Sequence, residues 1–322
     1  MDKKPKSKAE STLQRACSVA RVLERIGDGW SFLVLRATFF GETRFEGFMK
    51  ALMAPRSQVA KVLRQLQIAG LMERVNEAPG GPRYRLTPCG LDFYPICVGL
   101  LDWGDRYARP QLQAGQTAPP WRLRWRDAPA AAPDIVAVWV CAACGVPIAA
   151  RDVKWQDGPG AGLQPRPLGR RRSPDSNLYA RAQPCSVAST LEIVGDVWSF
   201  LILREAFFGS RFFDDLVSRL GVARNVLAAR LERLVKFGIL TRSTDSGDAR
   251  RRSYRLAEPG LALYPVIVAL MNWGDRWISG VGHEPLRLLH QPCAQALVAR
   301  LQDLHTGQKL EANGIAAVRT TA

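Results

Sequence analysis

The sequence predicts a mainly α-helical (α+β) fold of two similar domains, each built from short helices and one small β-hairpin. The first observation behind this prediction is a tandem repeat, because the stretch from Cys185 to Leu240 has a counterpart 168 positions earlier without a gap. The second observation is local: apolar residues recur at helical spacing between glycines, and two strand-like segments then flank a polar turn. Matching positions are Cys17 and Cys185, Gly27 and Gly195, Trp30 and Trp198, Arg36 and Arg204, Phe40 and Phe208, Leu63 and Leu231, and Gly70 and Gly238.

The first two helices of the second copy are delimited by their own end signals. Val187, Leu191 and Val194 fall on one helical face. Gly195 can end this helix, and Asp196 can cap the next one.

A short helix, a tight turn, a longer helix and a hairpin follow. Asp214 is a plausible cap for the short helix, Gly221 supplies the turn, and the longer helix begins near Arg224. Residues 239–242 and 253–256 then predict two strands around a polar, arginine-rich turn. This order predicts two tandem winged helix-turn-helix domains with small β-hairpin wings. Such a domain can place its second helix in the DNA major groove and its basic wing along phosphates.

Composition limits the function classes. The chain has 322 residues, 45 Lys and Arg against 29 Asp and Glu, and a formal net charge of +16, which favours a polyanionic partner. Its seven cysteines do not suggest a secreted disulfide framework, so we expect a reducing cytoplasm. We expect neither a signal peptide nor a membrane span. No nucleophile and base pattern or phosphate loop is present, so an enzyme is not expected.

These signals predict five segments along the chain. They are a disordered basic lead-in at 1–11, a first domain at 12–109, a linker at 110–180 with a small Cys-x-x-Cys knuckle at 135–150, a second domain at 181–282 and a tail at 283–322.

The outward residues of the two longer helices and of the wings are the expected DNA contacts. Arg and Lys suit guanine edges and Asn and Gln suit adenine, so the two different helices should not read the same sequence. We expect Arg224 and Asn225 to contribute most, and the first wing to hold phosphate less tightly. An ordinary solvated face is the alternative. The predicted contacts are Arg56, Ser57, Gln58, Lys61, Arg83 and Arg85 in the first copy, and Arg224, Asn225, Ala228, Arg230, Arg250, Arg251 and Arg252 in the second.

The second copy contains a set of short motifs, most of which are repeated in the first copy. They are Cys-Ser-Val-Ala at 185–188, Gly-Asp-x-Trp-Ser at 195–199, Phe-Phe-Gly at 207–209, Arg-Phe-Phe-Asp-Asp-Leu at 211–216 and Trp-Gly-Asp-Arg-Trp at 273–277. Together these motifs resemble the HxlR family of winged-helix transcriptional regulators. The resemblance implies binding of double-stranded DNA, usually by dimers paired through their outer helices. With two copies, the chain could form a homodimer or an intrachain pseudo-dimer.

Cys17 and Cys185 are candidate redox sensors. Each precedes a serine that could cap the first helix, where helix-end amides stabilise a thiolate. Some members of the family sense quinones, aldehydes or oxidants through a cysteine at this position, so the resemblance implies a redox or small-molecule effector. The alternative is a small buried apolar side chain.

A composite zinc site is a further hypothesis. Cys141-x-x-Cys144 is half of a zinc site, and His290-x-x-Cys293 could supply the other half. A structural remnant without metal is the alternative, in which case no cofactor is expected.

Two functions of different classes follow. The first is a sequence-specific DNA-binding repressor or activator with two non-identical recognition helices. The second is a protein-contact scaffold in which one or both winged helices no longer read DNA.

Overall fold

The computed structural model describes residues 13–76, 81–112, 120–129, 131–165, 185–244 and 252–320. The first repeat contains α1 (Ser18–Ile26), α2 (Gly29–Phe39), α3 (Phe45–Leu52), α4 (Arg56–Ile68), α5 (Pro88–Leu91), α6 (Tyr94–Trp103) and α7 (Arg109–Leu112). The second contains α8 (Ser186–Val194), α9 (Val197–Phe207), α10 (Phe213–Leu220), α11 (Arg224–Lys236), α12 (Glu258–Leu261) and α13 (Tyr264–Gly274). The lead-in expected at 1–11 lies outside the described residues.

The strands fall into two groups. The wing strands are β2 (Met72–Val75), β3 (Arg83–Leu86), β8 (Leu240–Thr244) and β9 (Arg252–Leu256). The remaining strands are β1 (Leu13–Arg15), β4 (Trp121–Trp125), β5 (Ala137–Cys141), β6 (Val153–Asp157), β7 (Leu163–Pro165), β10 (Leu286–His290), β11 (Gln295–Ala296), β12 (Ala299–Asp303) and β13 (Ile315–Arg319).

The helix ends follow local chemistry, with two differences from expectation. The prediction that Asp196 caps α9 is confirmed, since its carboxylate accepts from the backbone N–H groups of Trp198 and Ser199. Asp214, however, lies in the first turn of α10, whose N-cap is Phe212. Ser18 is likewise the first residue of α1 rather than its cap, which leaves its hydroxyl free for a contact with the other repeat.

Each wing is a two-stranded antiparallel hairpin anchored to its own helix-turn-helix. In the first repeat β2 pairs with β3, and in the second β8 pairs with β9. The backbone N–H of Tyr84 donates to Thr43 at 2.7 Å, and that of Tyr254 donates to Arg211 at 2.8 Å. These equivalent bonds join each wing to the segment just before α3 or α10. They therefore fix the position of the wing relative to that helix.

The two repeats share one hydrophobic core. Phe32 of α2 and Phe200 of α9 stack across the boundary with ring centroids 6.3 Å apart, and buried residues of both repeats form one cluster. Helix α1 packs against α13, and α8 packs against α6. Ser18 donates to Asp275, and its repeat counterpart Ser186 donates to Asp105. The repeats therefore face each other with pseudo-two-fold symmetry within one chain.

A third unit, which we call the strand module, comprises residues 121–129, 131–165 and 286–319. Strand β10 pairs with β6, β12 with β5, and β13 with β4, all antiparallel. The prediction of a tail at 283–322 is therefore wrong for residues 286–319. The prediction of a linker at 110–180 is wrong for the strands outside the knuckle expected at 135–150, where β5 lies. Because every one of these pairings joins strands more than a hundred positions apart, the sequence gives no local signal for them.

Among the described residues, no single helix is long and apolar enough to cross a membrane. The helices Ser186–Val194 and Val197–Phe207 are together long and apolar enough to cross a membrane, but they are bent by 76° relative to each other.

Candidate nucleic-acid interface

Helix α4 is the second helix of the first helix-turn-helix, and it presents a basic outer face. Val59, Leu63 and Leu66 are buried, which fixes the orientation of the helix on its domain. The predicted contacts Arg56, Ser57 and Lys61 are exposed, and Gln58 is half-buried. Arg64, which the sequence reasoning missed, is exposed one turn after Lys61, so the basic face runs along most of the helix.

Helix α11 holds the equivalent place in the second repeat, but its face is less basic. Arg224 and Asn225 are exposed and Ala228 is half-buried. Adding 168 to Lys61 and Arg64 gives Ala229 and Glu232, both of which are also exposed. An acidic side chain thus stands in α11 where α4 has an arginine.

The first arginine of each helix rests on an aromatic ring of the preceding helix. The Arg56 guanidinium lies 4.8 Å from the ring centroid of Phe45, and that of Arg224 lies 4.9 Å from Phe213. Stacking of this kind holds a guanidinium in place while its edge stays open to a ligand. Arg224 also donates to Asp214 at 2.8 Å in an exposed ion pair, so a DNA contact by Arg224 must compete with this carboxylate.

Arg230 is not part of the interface, and its prediction as a DNA contact is wrong. The side chain is buried, and its Nε donates to Asp196, the cap of α9, at 3.1 Å. Val62 occupies the same position in the first repeat and is also buried. Alignment of the two copies could have placed Arg230 inward, because a position that is valine in one copy faces the core.

The wings carry exposed arginines on both repeats. Arg83 and Arg85 are exposed on β3, and Arg85 forms a 2.6 Å ion pair with Glu73 of β2. Arg252 is exposed at the start of β9, and Arg242 of β8, which was not among the predicted contacts, is exposed beside it. Arg250 and Arg251 lie outside the described residues.

Cys17 and Cys185 lie buried at the boundary between the repeats. Each is the N-cap of the first helix of its repeat and about 1% exposed. The buried guanidinium of Arg204 lies close to Cys17 of the other repeat. Burial lowers the pKa of Arg204, but the adjacent Cys17 and Glu205 outweigh it and raise that pKa, so this arginine stays charged next to the thiol.

The four residues of the hypothetical zinc site come together. The Sγ atoms of Cys141 and Cys293 are 4.0 Å apart, and the Nδ1 atom of His290 lies 3.4 Å from the sulfurs of both Cys144 and Cys293. Their ligand atoms all lie within 4.8 Å of one another.

The family match falls separately on each of the two repeats. The family of HxlR-like helix-turn-helix domains matches twice, at residues 25–112 and 193–281. A helix-turn-helix transcriptional regulator of Mycobacterium tuberculosis is 41% identical over 140 residues, which are 44% of this chain and 89% of that protein. Another, from Methanothermobacter thermautotrophicus, is 32% identical over 106 residues, covering 32% of this chain and 81% of its own length.

Among solved structures, the protein PA1607, described as a candidate transcription factor, is 35% identical. It covers 44% of this chain and 97% of its own, with a TM-score of 0.39.

The two family matches coincide with the two repeats and include both second helices of the helix-turn-helix units. The chain therefore belongs to the HxlR-like helix-turn-helix family of transcriptional regulators and carries two tandem copies of its domain.

Proposed function

We propose that this regulator binds a bipartite double-stranded DNA site as a single chain, with α4 and α11 in the major groove of two different half-sites. The observation that supports two different half-sites is a contrast between equivalent exposed residues. Helix α4 has Lys61 and Arg64 where α11 has Ala229 and Glu232. Because donor patterns at base edges discriminate sequence, two faces with different donors favour different bases.

The intrachain packing of the repeats supports binding by one chain. The outer helices α1 and α13, which could pair subunits in a homodimer, pack against each other within the chain. In dimeric helix-turn-helix proteins the spacing of half-sites mirrors the symmetry of the two domains. A fixed pseudo-dimer of unlike domains would therefore select two unlike half-sites at one spacing.

The experiment is selection of bound duplexes from a random library by the purified full chain, at a salt concentration where nonspecific phosphate binding is weak. Two different half-sites at a constant spacing are the expected product. A palindrome would instead mean that two chains each use one repeat. Absence of any enriched sequence would favour the protein-contact scaffold and would overturn base reading.

A redox or small-molecule signal is the second part of the proposal. Cys17 lies buried at the repeat boundary against the charged Arg204 of the other repeat. A substituent on this sulfur would have no room there, and it would therefore shift the repeats and their recognition helices. The test is DNA affinity with and without an electrophilic quinone, in the wild type and in Cys17→Ala, with Cys185→Ala and Cys89→Ala as companions. Equal responses of all four proteins would contradict this role. Such a regulator would act in the cytoplasm.

A further inference from the structure

Two short turns from distant parts of the strand module meet at one point. One begins at Cys141, the last residue of β5, and contains Cys144; the other begins at His290, the last residue of β10, and contains Cys293. We propose that these four residues bind one structural Zn²⁺ ion, which joins the segment between the repeats to the C-terminal segment.

The distances fit tetrahedral zinc. With Zn–S bonds of about 2.3 Å and a Zn–N bond of about 2.0 Å, tetrahedral geometry separates two sulfurs by about 3.8 Å and a sulfur from a nitrogen by about 3.5 Å. The measured separations are 4.0 Å for Cys141 to Cys293 and 3.4 Å from His290 Nδ1 to Cys144 and to Cys293. Three thiolates and one imidazole with no open position form the closed ligand set of structural zinc sites.

Both turns have the same backbone geometry. The N–H of Gly145 donates to the carbonyl of Cys141 at 2.8 Å, and the N–H of Ala294 donates to that of His290 at 2.8 Å. Gly145 and Ala294 both have positive φ, 73° and 56°. A positive φ is unusual for alanine. The second turn thus adopts a geometry that its sequence does not favour but that brings His290 and Cys293 to one side.

The backbone fixes Cys141 at the end of β5. The residue is fully buried, and its N–H donates to the carbonyl of Val146 at 2.9 Å. This ligand is therefore held in orientation before an ion binds.

The chain contains its own comparison, because pseudo-symmetry gives the strand module a second place of this kind. There, β4 ends at Trp125 and is followed by Ala128, and β12 ends at Asp303 and is followed by Thr306. Gly307 closes that turn with an N–H bond to Asp303 at 2.9 Å and a φ of 68°. The fold is thus repeated without the metal ligands.

At this second place, hydrogen bonds take over the role that we assign to zinc. The Asp303 carboxylate accepts from Thr306 Oγ1 at 2.9 Å and from the N–H of Val136 at 3.2 Å. Burial raises the pKa of Asp303, but these bonds outweigh it and lower that pKa. The carboxylate is already satisfied by these bonds and by the N–H of His305, the His305 side chain is exposed, and the turn contains no cysteine. We therefore assign one zinc ion, not two, to each chain.

The ion would stabilise the module against the repeat interface. Asn272 of α13 donates through Nδ2 to the carbonyl of Leu297 at 3.2 Å, and its Oδ1 accepts from the N–H of Ala299 at 2.9 Å. Both partners follow the His290 and Cys293 turn within a few residues. Metal binding there therefore orders a segment that packs on the helix pairing the two repeats.

The experiment measures bound zinc in the full-length chain, purified without chelators, by elemental analysis. About one zinc ion per chain is expected. Cys144→Ser changes an exposed ligand, and Cys293→Ser changes a half-buried one; both should lose most of the zinc. Cys89→Ser is the matched control, because it makes the same substitution outside the cluster and should keep the full complement.

Cobalt substitution tests the ligand set without any variant. The chain with Co²⁺ in place of zinc should show the strong visible absorption of tetrahedral cobalt with thiolate ligands, and a chelator should lower its unfolding temperature. A zinc-free chain that gives no such absorption with Co²⁺ would overturn the proposal. So would zinc that stays bound in both serine variants, or a disulfide between Cys141 and Cys293 in the native protein.

Discussion

The indole Nε1 of Trp103, at the end of α6, donates a 2.7 Å hydrogen bond to the carbonyl oxygen of Pro259 in the other repeat. The equivalent Trp273 donates to Cys89 at 3.0 Å. The two donors, Trp103 and Trp273, lie 170 positions apart, and so do the two acceptors, Cys89 and Pro259. The repeats thus exchange the same contact in both directions, as two subunits of a symmetric dimer do.

This exchange predicts matched losses of stability. Trp103→Phe and Trp273→Phe each remove one buried donor to the opposite repeat and keep much of the apolar bulk. Each should lower the free energy of unfolding by about 1 kcal/mol or somewhat more, because the partner carbonyl loses its donor. Urea unfolding followed by circular dichroism checks this. A large loss in one variant and none in the other would contradict a symmetric interface.

The recognition helices make a reciprocal prediction. Arg64→Glu gives α4 the residue type that α11 has at Glu232, and Glu232→Arg does the opposite. The first change should weaken binding to the selected duplex and make it less dependent on salt. The second should strengthen binding and increase the salt slope by about 1, as one added phosphate contact does. Fluorescence anisotropy at several salt concentrations measures both. Unchanged slopes in both variants would remove these positions from the interface.

The ion pair between Arg224 and Asp214 predicts a gain of affinity. Both side chains are largely exposed, so the pair contributes little to stability, but the carboxylate competes with DNA for the guanidinium. Asp214→Asn should therefore tighten binding to the half-site read by α11 while leaving the unfolding temperature nearly unchanged. Asp215→Asn, which removes a charge from the same helical turn, is the control. An equal gain in both variants would point to general electrostatics instead of release of Arg224.

The buried Arg230 predicts a structural effect. Its replacement by Met removes the partner of Asp196 and should destabilise the second repeat by about 3 kcal/mol. The preferred DNA sequence should stay the same, because the side chain faces the core. Thermal unfolding and repeated duplex selection measure the two effects. A stable variant with altered base preference would return Arg230 to the interface.

Asp275 predicts a pH dependence. Burial raises its pKa to about 6, although the Ser18 hydroxyl and Arg21 act in the opposite direction. The folded chain therefore holds this proton more tightly than the unfolded chain, whose carboxyl titrates near pH 4. The stabilising contribution of the group is present at low pH and is lost as pH rises from about 4 to about 6.

Asp275→Asn keeps a neutral side chain at every pH and isolates this contribution. The free energy of unfolding of the wild type minus that of Asp275→Asn should fall across this range and then level off. A difference that rises with pH would show that the folded pKa is lowered. Ser18, Arg21 and Glu284 face this carboxylate. Variants at these three positions should be measured in the same pH scan as controls.

Local patterns predicted much of the fold. The glycine and aspartate signals at 195 and 196 placed the boundary of α8 and α9, and the repeat placed both helix-turn-helix units. The prediction for Arg230 is wrong because it treats a charged residue as exposed without reference to the buried counterpart Val62. The strand module was missed since short strands such as β10 and β6 find their partners far away in the sequence, where no spacing rule applies.

The candidate sites divide in the same way. Outward residues at the start of each recognition helix, such as Arg56 and Arg224, could be predicted because helical periodicity fixes their side. The cluster of Cys141 and His290 could be suspected from ligand types alone, but the pairing of β10 with β6 that brings them together could not. The contact of Cys17 with Arg204 depends on how the two repeats face each other, which no local pattern encodes.

The most direct test is the stoichiometry of the full chain on its selected duplex, measured by sedimentation or native mass spectrometry. We expect one chain per duplex, bound across two different half-sites. Each half-site should be weakened separately by Arg56→Glu or by Arg224→Glu. Two chains on one duplex, each using the same helix on identical half-sites, would contradict a single-chain pseudo-dimer with unlike recognition helices.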